Sequence, residues 1–262
     1  MRVVSLCPSL TELVFDLGCG DRVVGRTRYC VRPEGRVEAV PTLGGTKNPK
    51  VEAILELAPD LVLLNREENR AEDAAALEAA GLNCRSFLPK TVDDTAAMIR
   101  EVGELLGVPK AGEAMAMELE RRADRARELA SEGPAIRWAY LIWRKPWMAA
   151  GGDTFVDALL TLPGGVNVFA DHPDRYPAIT ADVLRAADPD RIWLSSEPFP
   201  FTEHHVDELT EATGLPETRF QLVDGQLLSW HGSRTLDGVE YAARLIREVR
   251  EPGPTAARPG KD

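Results

Sequence analysis

Two stretches of the chain are near copies of each other. VEAILELAPDLVLLN (residues 51–65) and ADVLRAADPDRIWLS (residues 181–195) start 130 residues apart. When they are aligned, the Pro-Asp pair at 59–60 falls on the Pro-Asp pair at 189–190. Each copy predicts a short helix, a Pro-Asp turn and a buried strand. The repeat therefore predicts two lobes of similar build, with a space between them in which a ligand binds.

Strand-like and helix-like segments alternate on both sides of this repeat. The predicted strands include RVVSL (2–6), RVVG (22–25), residues 83–87, RWAYLIW (137–143) and FQLV (220–223). Segments with helical periodicity alternate with these strands, although a polar, Gly- and Pro-rich loop through Pro49 follows RVVG directly. This alternation predicts α/β lobes with parallel, doubly wound sheets.

One predicted helix differs from the others. KAGEAMAMELERRADRARELASE (110–132), which follows Pro109, has a narrow, alanine-rich apolar stripe and is otherwise charged. Such helices often bridge between domains. The predicted organisation is therefore an N-terminal lobe, a bridging helix, a C-terminal lobe and a disordered tail, at 1–108, 109–132, 133–250 and 251–262.

Composition excludes several classes of function. The formal net charge of -11 argues against a nucleic-acid partner. No stretch approaches the roughly 20 apolar residues that a membrane span requires. The start, MRVVSLCPS, predicts a strand and not a secretory signal, so we expect a cytoplasmic protein as the sequence is written. A mature extracytoplasmic form whose signal has been removed is the alternative.

Aromatic and cationic side chains follow the predicted strands in both lobes. Ligands of doubly wound sheets gather at the carboxyl ends of strands. The candidates found there are Trp143, Arg144, Trp147, Trp230 and His231, with Tyr29 in the loop after the second strand. Rings supply stacking area and Arg pairs with carboxylate or phosphate, so the set suits a large, flat, partly anionic ligand. The alternative is a core position for the tryptophans and a plain surface position for Tyr29 and for Tyr176.

The cysteines and histidines give weak catalytic signals. No CxxC spacing occurs among the four cysteines, and we interpret all of them as free thiols: Cys7, Cys19, Cys30 and Cys84. Cys7 or Cys30 paired with His231 would make a thiol enzyme, but ordinary loop thiols and an unrelated histidine are the favoured interpretation. The four histidines lack a metal-ligand spacing, so we expect no bare metal site.

Three polar patterns predict helix starts. Ser9 with Glu12, and Thr91 with Asp94, fit capping boxes. The glutamates at 67–68 are interpreted as the acidic first turn of a helix.

Taken together, five segments carry a family resemblance. They are RVVSLCPSLTELVFDLGCGDRVVGRTRYCVRP (2–33), GGTKNPKVEAILELAPDLVLLN (44–65), GGVNVFAD (164–171), YPAITADVLRAADPD (176–190) and SWHGSRTLDGVEYAARLI (229–246). In this order they resemble the helical-backbone, class III (TroA-like) solute-binding proteins of ABC importers, and most closely the cobalamin-binding branch. The resemblance extends to about Val249.

The resemblance implies two Rossmann-like lobes with parallel sheets, joined by a single long helix. It implies a corrinoid, haem or ferric chelate held between the lobes, with aromatic positions at Tyr29, Tyr176 and Trp230. It also implies docking on an ABC permease dimer through one acidic residue per lobe, at Glu52 and Asp182. These two positions are equivalent in the internal repeat.

The first hypothesis is thus a monomeric binding protein that captures a corrinoid or iron-type chelate for ABC import, without enzymatic activity or a cofactor of its own. The second is a cytoplasmic chelate carrier or sensor on the same scaffold, without a permease. The third and least favoured is the thiol-dependent enzyme.

Overall fold

The structure, a computed structural model, describes residues 1–251 and divides into two compact units. The first unit comprises Met1–Arg121 together with Trp230–Leu236, and the second comprises Arg122–Ser229 and the described residues from Asp237 to Glu251. The boundaries predicted from the sequence, at 108, 132 and 250, stay a prediction. Residues 252–262 of the predicted tail lie outside the described residues.

The first unit is built on a four-stranded parallel sheet. Its elements are β1 (Val3–Ser5), α1 (Pro8–Asp16), β2 (Val23–Arg26), α2 (Val51–Glu56), β3 (Leu61–Asn65), α3 (Ala71–Ala79), β4 (Cys84–Phe87), α4 (Val92–Leu105) and the first part of α5 (Pro109–Leu129). The strand order is β2-β1-β3-β4. β3 is buried along its whole length, as its run of apolar residues predicts for a strand covered on both faces.

The second unit contains a six-stranded sheet. The elements from residue 136 onward are β5 (Ile136–Trp143), β6 (Trp147–Ala149), α6 (Phe155–Thr161), β7 (Gly165–Asn167), β8 (Ala178–Ile179), α7 (Ala181–Ala187), β9 (Arg191–Ser195), α8 (Glu203–Thr213), β10 (Phe220–Val223), α9 (Gly225–Ser229) and α10 (Thr235–Arg250). The order is β10-β9-β5-β6-β8, with β7 paired to β5. β5, β7, β9 and β10 are parallel, which confirms the predicted α/β class with parallel sheets.

The internal repeat is reproduced in three dimensions. α2 and β3 form one copy, and α7 and β9 form the other. In the first copy, the Asp60 carboxylate accepts a hydrogen bond from the backbone N–H of Arg2 at 2.7 Å. In the second copy, the Asp190 carboxylate accepts one from the N–H of Arg137 at 2.8 Å. The aspartate of each Pro-Asp turn thus ties the repeat to the strand that pairs beside it.

The turn that precedes each Pro-Asp pair has the same unusual backbone. Ala58 and Asp188, which are equivalent in the repeat, both have a left-handed conformation, with φ of 44° and 45°. Side chains with a Cβ rarely adopt this conformation. The chain leaves the two helices in the same direction, and this keeps helix and strand in the same relation in both copies.

The long helix α5 runs without interruption from Pro109 to Leu129, over 21 residues. At 1.5 Å per residue it is about 31 Å long. Its first part, to Arg121, belongs to the first unit and its last part to the second. Near its start, Gly112 faces Gly103 of α4, where a Cβ on Gly103 would lie only 2.9 Å from the Gly112 Cα. Two glycines therefore allow the two helix backbones to touch.

Two predicted helix starts are wrong and one is confirmed. α1 begins at Pro8, whose fixed φ suits the first helical turn, and no side chain caps it. The predicted box of Ser9 and Glu12 does not form. α4 starts with the predicted box, because Thr91 Oγ1 accepts from the Asp94 N–H and the Asp94 carboxylate accepts from the Thr91 N–H, both at 3.0 Å.

The acidic pair at 67–68 lies in a turn, and α3 starts only at Ala71. The reason is Asn65, whose side-chain oxygen accepts the N–H groups of Glu67 and Glu68 at 2.8 and 3.1 Å. This side chain satisfies the backbone donors that a helix would otherwise use, and the turn is stable without a helix.

The second sheet also contains three short strands that the sequence did not predict: β7, which pairs parallel with β5, and two antiparallel strands. β6 and β8 run antiparallel at its edge. They have only three and two residues, too few for an alternating pattern to be detected. Among the described residues, no helix is both long and apolar enough to cross a membrane.

Candidate functional site

In the first unit, polar side chains collect where β1 and β2 end. Thr11 Oγ1 lies 2.8 Å from Ser5 Oγ and 3.1 Å from Cys30 Sγ. Thr27 Oγ1 lies 3.2 Å from the same sulfur, and Cys7 Sγ lies 3.3 Å from Ser9 Oγ. All of these side chains are buried. They form an internal network that fixes the loops, not a surface for a ligand.

The electrostatics of this network argue against the thiol-enzyme hypothesis. Burial raises the pKa of Cys7 to about 12 and also raises the pKa of Cys30. Burial lowers the pKa of His231 to about 4. At neutral pH the thiols are therefore protonated, and His231 is too weak a base to remove their protons.

Tyr29 is the most exposed of the predicted ligand residues in this unit. It follows β2, and its side chain is 52% exposed. The Arg28 guanidinium lies over its ring, 5.4 Å from the centroid, and Arg28 also reaches Asn48 Oδ1 at 3.4 Å. The ring is held from one side and remains accessible, as a stacking residue requires.

Trp230 and His231 lie in Trp230–Leu236, a segment that follows the second sheet in sequence but belongs to the first unit. Both are buried, at 9% and 6% exposure. The Arg234 guanidinium lies 5.5 Å from the centroid of the Trp230 ring and forms a two-pronged ion pair with Glu12 of α1. Glu12, predicted as part of a helix cap, is instead buried and holds this segment through its ion pair with Arg234. The ligand-binding roles of Trp230 and His231 stay predictions.

In the second unit, an aromatic cluster lies where β5 and β9 end. We call it the aromatic platform, and it consists of Trp143, Trp147, Phe199, Phe201 and His205. Trp143 packs edge-on against Phe199 at 5.7 Å between centroids, and Trp147 stacks on Phe201 at 6.1 Å. Phe199 and Phe201 meet edge to face at 4.9 Å. The contacts join the end of β5 to the loop after β9, and Trp143 keeps 41% of its surface exposed.

His205 completes the platform from the first turn of α8. Its ring lies 5.1 Å from Phe199 and 5.5 Å from Phe201. The Thr202 N–H donates to His205 Nδ1 at 3.0 Å, so in the neutral ring the proton is on Nε2. Burial, and then the nearby Arg144 guanidinium, lower the pKa of His205, so the ring is neutral at pH 7.

Arg144 is held within the second unit by two contacts. Its guanidinium forms a two-pronged ion pair with Glu208 of α8, and lies 5.2 Å from the centroid of the Trp147 ring. The guanidinium thus connects Trp147 to α8 beside the platform. The ligand-binding role of Arg144 stays a prediction.

The remaining predicted positions are separate from the platform contacts. Tyr176 lies in the loop before β8, with the Arg175 guanidinium 5.7 Å from its ring centroid. Glu52 and Asp182 are each the second residue of a repeat helix, α2 and α7, and both are exposed. Asp182 also pairs with Arg185 at 2.7 Å.

A groove of about 310 Å³ lies along the end of α5 and α10, lined by residues that include Arg122, Leu129 and Glu240. Arg122 and Glu240 are paired at 3.2 Å, and none of the predicted ligand residues lines this groove. Within residues 1–251, no group of three or more His, Cys, Asp or Glu side chains is placed to hold a metal ion.

The sequence prediction missed Phe199, Phe201 and His205. The signal was present, because the segment SEPFPFTEHH (196–205) follows a repeat strand directly. These residues lie just beyond the repeat, and they meet the aromatic residues after β5 only because β5 and β9 pair in the sheet.

Comparison with known proteins shows which family the chain matches. Residues 3–216 match the family described as periplasmic binding protein, which confirms the family resemblance. The chain is 24% identical over 246 residues to a vitamin B12-binding protein of Vibrio cholerae, covering 94% of this chain and 89% of that protein. It is 28% identical over 218 residues to one of Yersinia pestis, covering 82% and 75%.

Solved structures share the fold. The periplasmic haem-binding protein of Roseiflexus sp. RS-1, in its apo form, superposes with a TM-score of 0.84 at 27% identity, covering 95% of this chain and 99% of that one. The periplasmic vitamin B12-binding protein of Vibrio cholerae superposes with a TM-score of 0.82 at 23% identity, covering 95% and 98%.

Proposed function

The chain belongs to the periplasmic binding protein family, and we propose that it captures a flat metal chelate, a corrinoid or a haem, for ABC-type import. The family is one of solute-binding proteins and not of enzymes, which supports a binding function over the thiol enzyme. Relatives named for vitamin B12 and for haem support the two chelate classes.

The observation that carries the proposal is the aromatic platform. Five rings from β5, β6, the loop after β9 and α8 form one connected group, and Trp143 remains 41% exposed. An exposed ring supported by other rings loses little conformational entropy when a flat ligand stacks on it. We propose that the macrocycle lies against this platform.

Tyr29 is proposed as the aromatic contribution of the first unit. Its ring is 52% exposed and is held by Arg28. A ring that is exposed before binding gains apolar contact area when the chelate covers it. Tyr176 and Trp230, implied by the family resemblance, and His231, predicted from its place after a strand, are retained as proposed ligand contacts.

Titration of the purified protein with haemin and with cyanocobalamin tests this function, followed by calorimetry and by the visible spectrum of each chelate. We expect saturable binding of at least one chelate with a stoichiometry near one. Phe199→Ala should weaken binding, and Phe15→Leu, which changes a buried ring of α1, serves as the matched control. The proposal fails if neither chelate binds the folded protein.

The delivery step is proposed from the repeat. Glu52 and Asp182 occupy the same position in α2 and α7 and both are exposed, so each unit presents one carboxylate at an equivalent place. Two separated carboxylates can bind two arginine patches of a permease dimer at once. We expect the binding protein itself to be a monomer, checked by light scattering.

Reversal of both carboxylates tests the docking step. The variant Glu52→Lys with Asp182→Lys should lose association with permease vesicles and keep its affinity for the chelate. The control Glu56→Lys with Glu211→Lys reverses two exposed charges elsewhere on helices α2 and α8. If the first variant still docks normally, the docking role is wrong. If the wild type finds no permease, the carrier hypothesis replaces import.

A further inference from the structure

Lys145 lies at the tip of the hairpin between β5 and β6, directly between the two platform tryptophans. The turn consists of Arg144, Lys145 and Pro146, with Trp143 before it and Trp147 after it. Lys145 is exposed. Its ammonium is therefore carried by the same short hairpin that places the two tryptophan rings.

The backbone of Lys145 is strained. Its φ is +67°, in the left-handed region that glycine and asparagine tolerate and lysine rarely adopts. Glycine would relieve this strain. Such a backbone outlier motivates a functional hypothesis for the residue that occupies it.

The neighbouring cation, Arg144, is already engaged within the unit. Arg144 is held by Glu208 and by the Trp147 ring. The Lys145 ammonium forms no hydrogen bond or ion pair with any of the residues 1–251. Beside the aromatic platform, Lys145 is thus a cation that is available to a ligand.

We propose that Lys145 is a specificity residue whose ammonium pairs with an anionic group at the edge of the chelate, a carboxylate or a phosphate. The inference rests on the proposed function. The platform rings contact the face of the macrocycle, and the hairpin tip lies beside them, where the rim of a stacked macrocycle would extend. The lysine would then favour chelates with an anionic rim over uncharged ones.

Three variants separate charge from backbone shape. Lys145→Gly and Lys145→Asn remove the charge and accept a positive φ, whereas Lys145→Arg keeps the charge. Two pairs of probes separate the sources of the anion: haemin against its dimethyl ester, which lacks the free carboxylates, and cobalamin against cobinamide, which lacks the phosphodiester.

We expect Lys145→Gly and Lys145→Asn to bind the charged member of one pair about three- to tenfold more weakly, the range of an ion pair near the surface. Binding of the partner that lacks the anionic group should not change. Lys145→Arg should restore most of the affinity. The difference should shrink between 0.05 and about 0.5 M salt, because ions screen exposed charges.

A backbone control is available at Ala58, a left-handed residue in the other unit. Both Ala58→Gly and Lys145→Gly should raise the melting temperature, because each relieves a positive φ, but only Lys145→Gly should change affinity. The proposal is overturned if the wild type binds a charged chelate and both uncharged variants bind it equally well. It is also overturned if they lose charged and uncharged probes alike. If the wild type binds no chelate, the proposed function fails and this inference fails with it.

Discussion

Replacement of Arg234 by Met should destabilise the first unit by about 3–5 kcal/mol, because it leaves the Glu12 carboxylate buried without its partner. Glu12 is only 7% exposed, and the Arg234 Nε lies 2.7 Å from its Oε2. The guanidinium also covers the Trp230 ring, with 5.5 Å to the centroid. The change therefore removes a charge-assisted pair and a ring contact together, and it loosens the segment that carries Trp230.

The expected loss of stability comes mainly from leaving the Glu12 carboxylate buried without a partner, and less from losing the attraction between Glu12 and Arg234. If that is correct, the double variant Glu12→Leu with Arg234→Met should recover most of the lost stability, because no buried charge remains. Urea unfolding gives the free energies, and hydrogen exchange reports on residues 8–16 and 230–236 separately. The exposed pair of Arg121 and Glu118 is the control, and Arg121→Met should cause a much smaller loss. The reasoning is refuted if the double variant is as unstable as Arg234→Met.

Three other changes test the site and its chemistry. Trp147→Ala should weaken chelate binding by about 1–3 kcal/mol in calorimetry, and unchanged affinity would remove Trp147 from the platform's binding surface. His231 has a folded pKa of about 4, below its ordinary 6.5, so its stabilisation is present above pH 6.5 and is lost as the pH falls toward 4. The loss is about 3 kcal/mol, and His231→Leu should remove this part of the acid sensitivity in urea unfolding at pH 4.5 and 7.5. Cys7 and Cys30 should resist iodoacetamide at pH 7.5 in the native protein, since both are buried with raised pKa values, and rapid labelling seen by mass spectrometry would contradict this.

Local patterns predicted much of the fold because the relevant interactions are local. The bounds of β10 at Phe220–Val223 and the capping box of Thr91 with Asp94 depend on neighbours within a few residues. The repeat was visible because the helix, turn and strand in each copy have the same requirements along the chain.

Features that depend on distant partners could not be predicted in this way. The return of Trp230–Leu236 to the first unit depends on an ion pair between residues 222 positions apart, and nothing near Arg234 in sequence marks Glu12 as its partner. The same limit applies to the platform, where Trp143 meets Phe199 only because β5 and β9 are neighbours in the sheet.

The repeat also indicates where the two units acquire different chemistry. Asn65 Oδ1 accepts the Glu67 N–H at 2.8 Å, and Ser195 Oγ accepts the equivalent Glu197 N–H at 3.2 Å. The copies therefore stay alike for two residues beyond their strands. After that point the first copy continues through a polar turn, and the second continues into PFPF (198–201) and the aromatic platform. The repeat copies, 51–65 and 181–195, each pack a helix against a strand, and this packing restricts which residues can occupy them in both units. The loops that follow the repeat strands are not restricted in this way. The loop after β9 can therefore carry residues proposed to contact the chelate, because the sheet that supports it is fixed by the repeat.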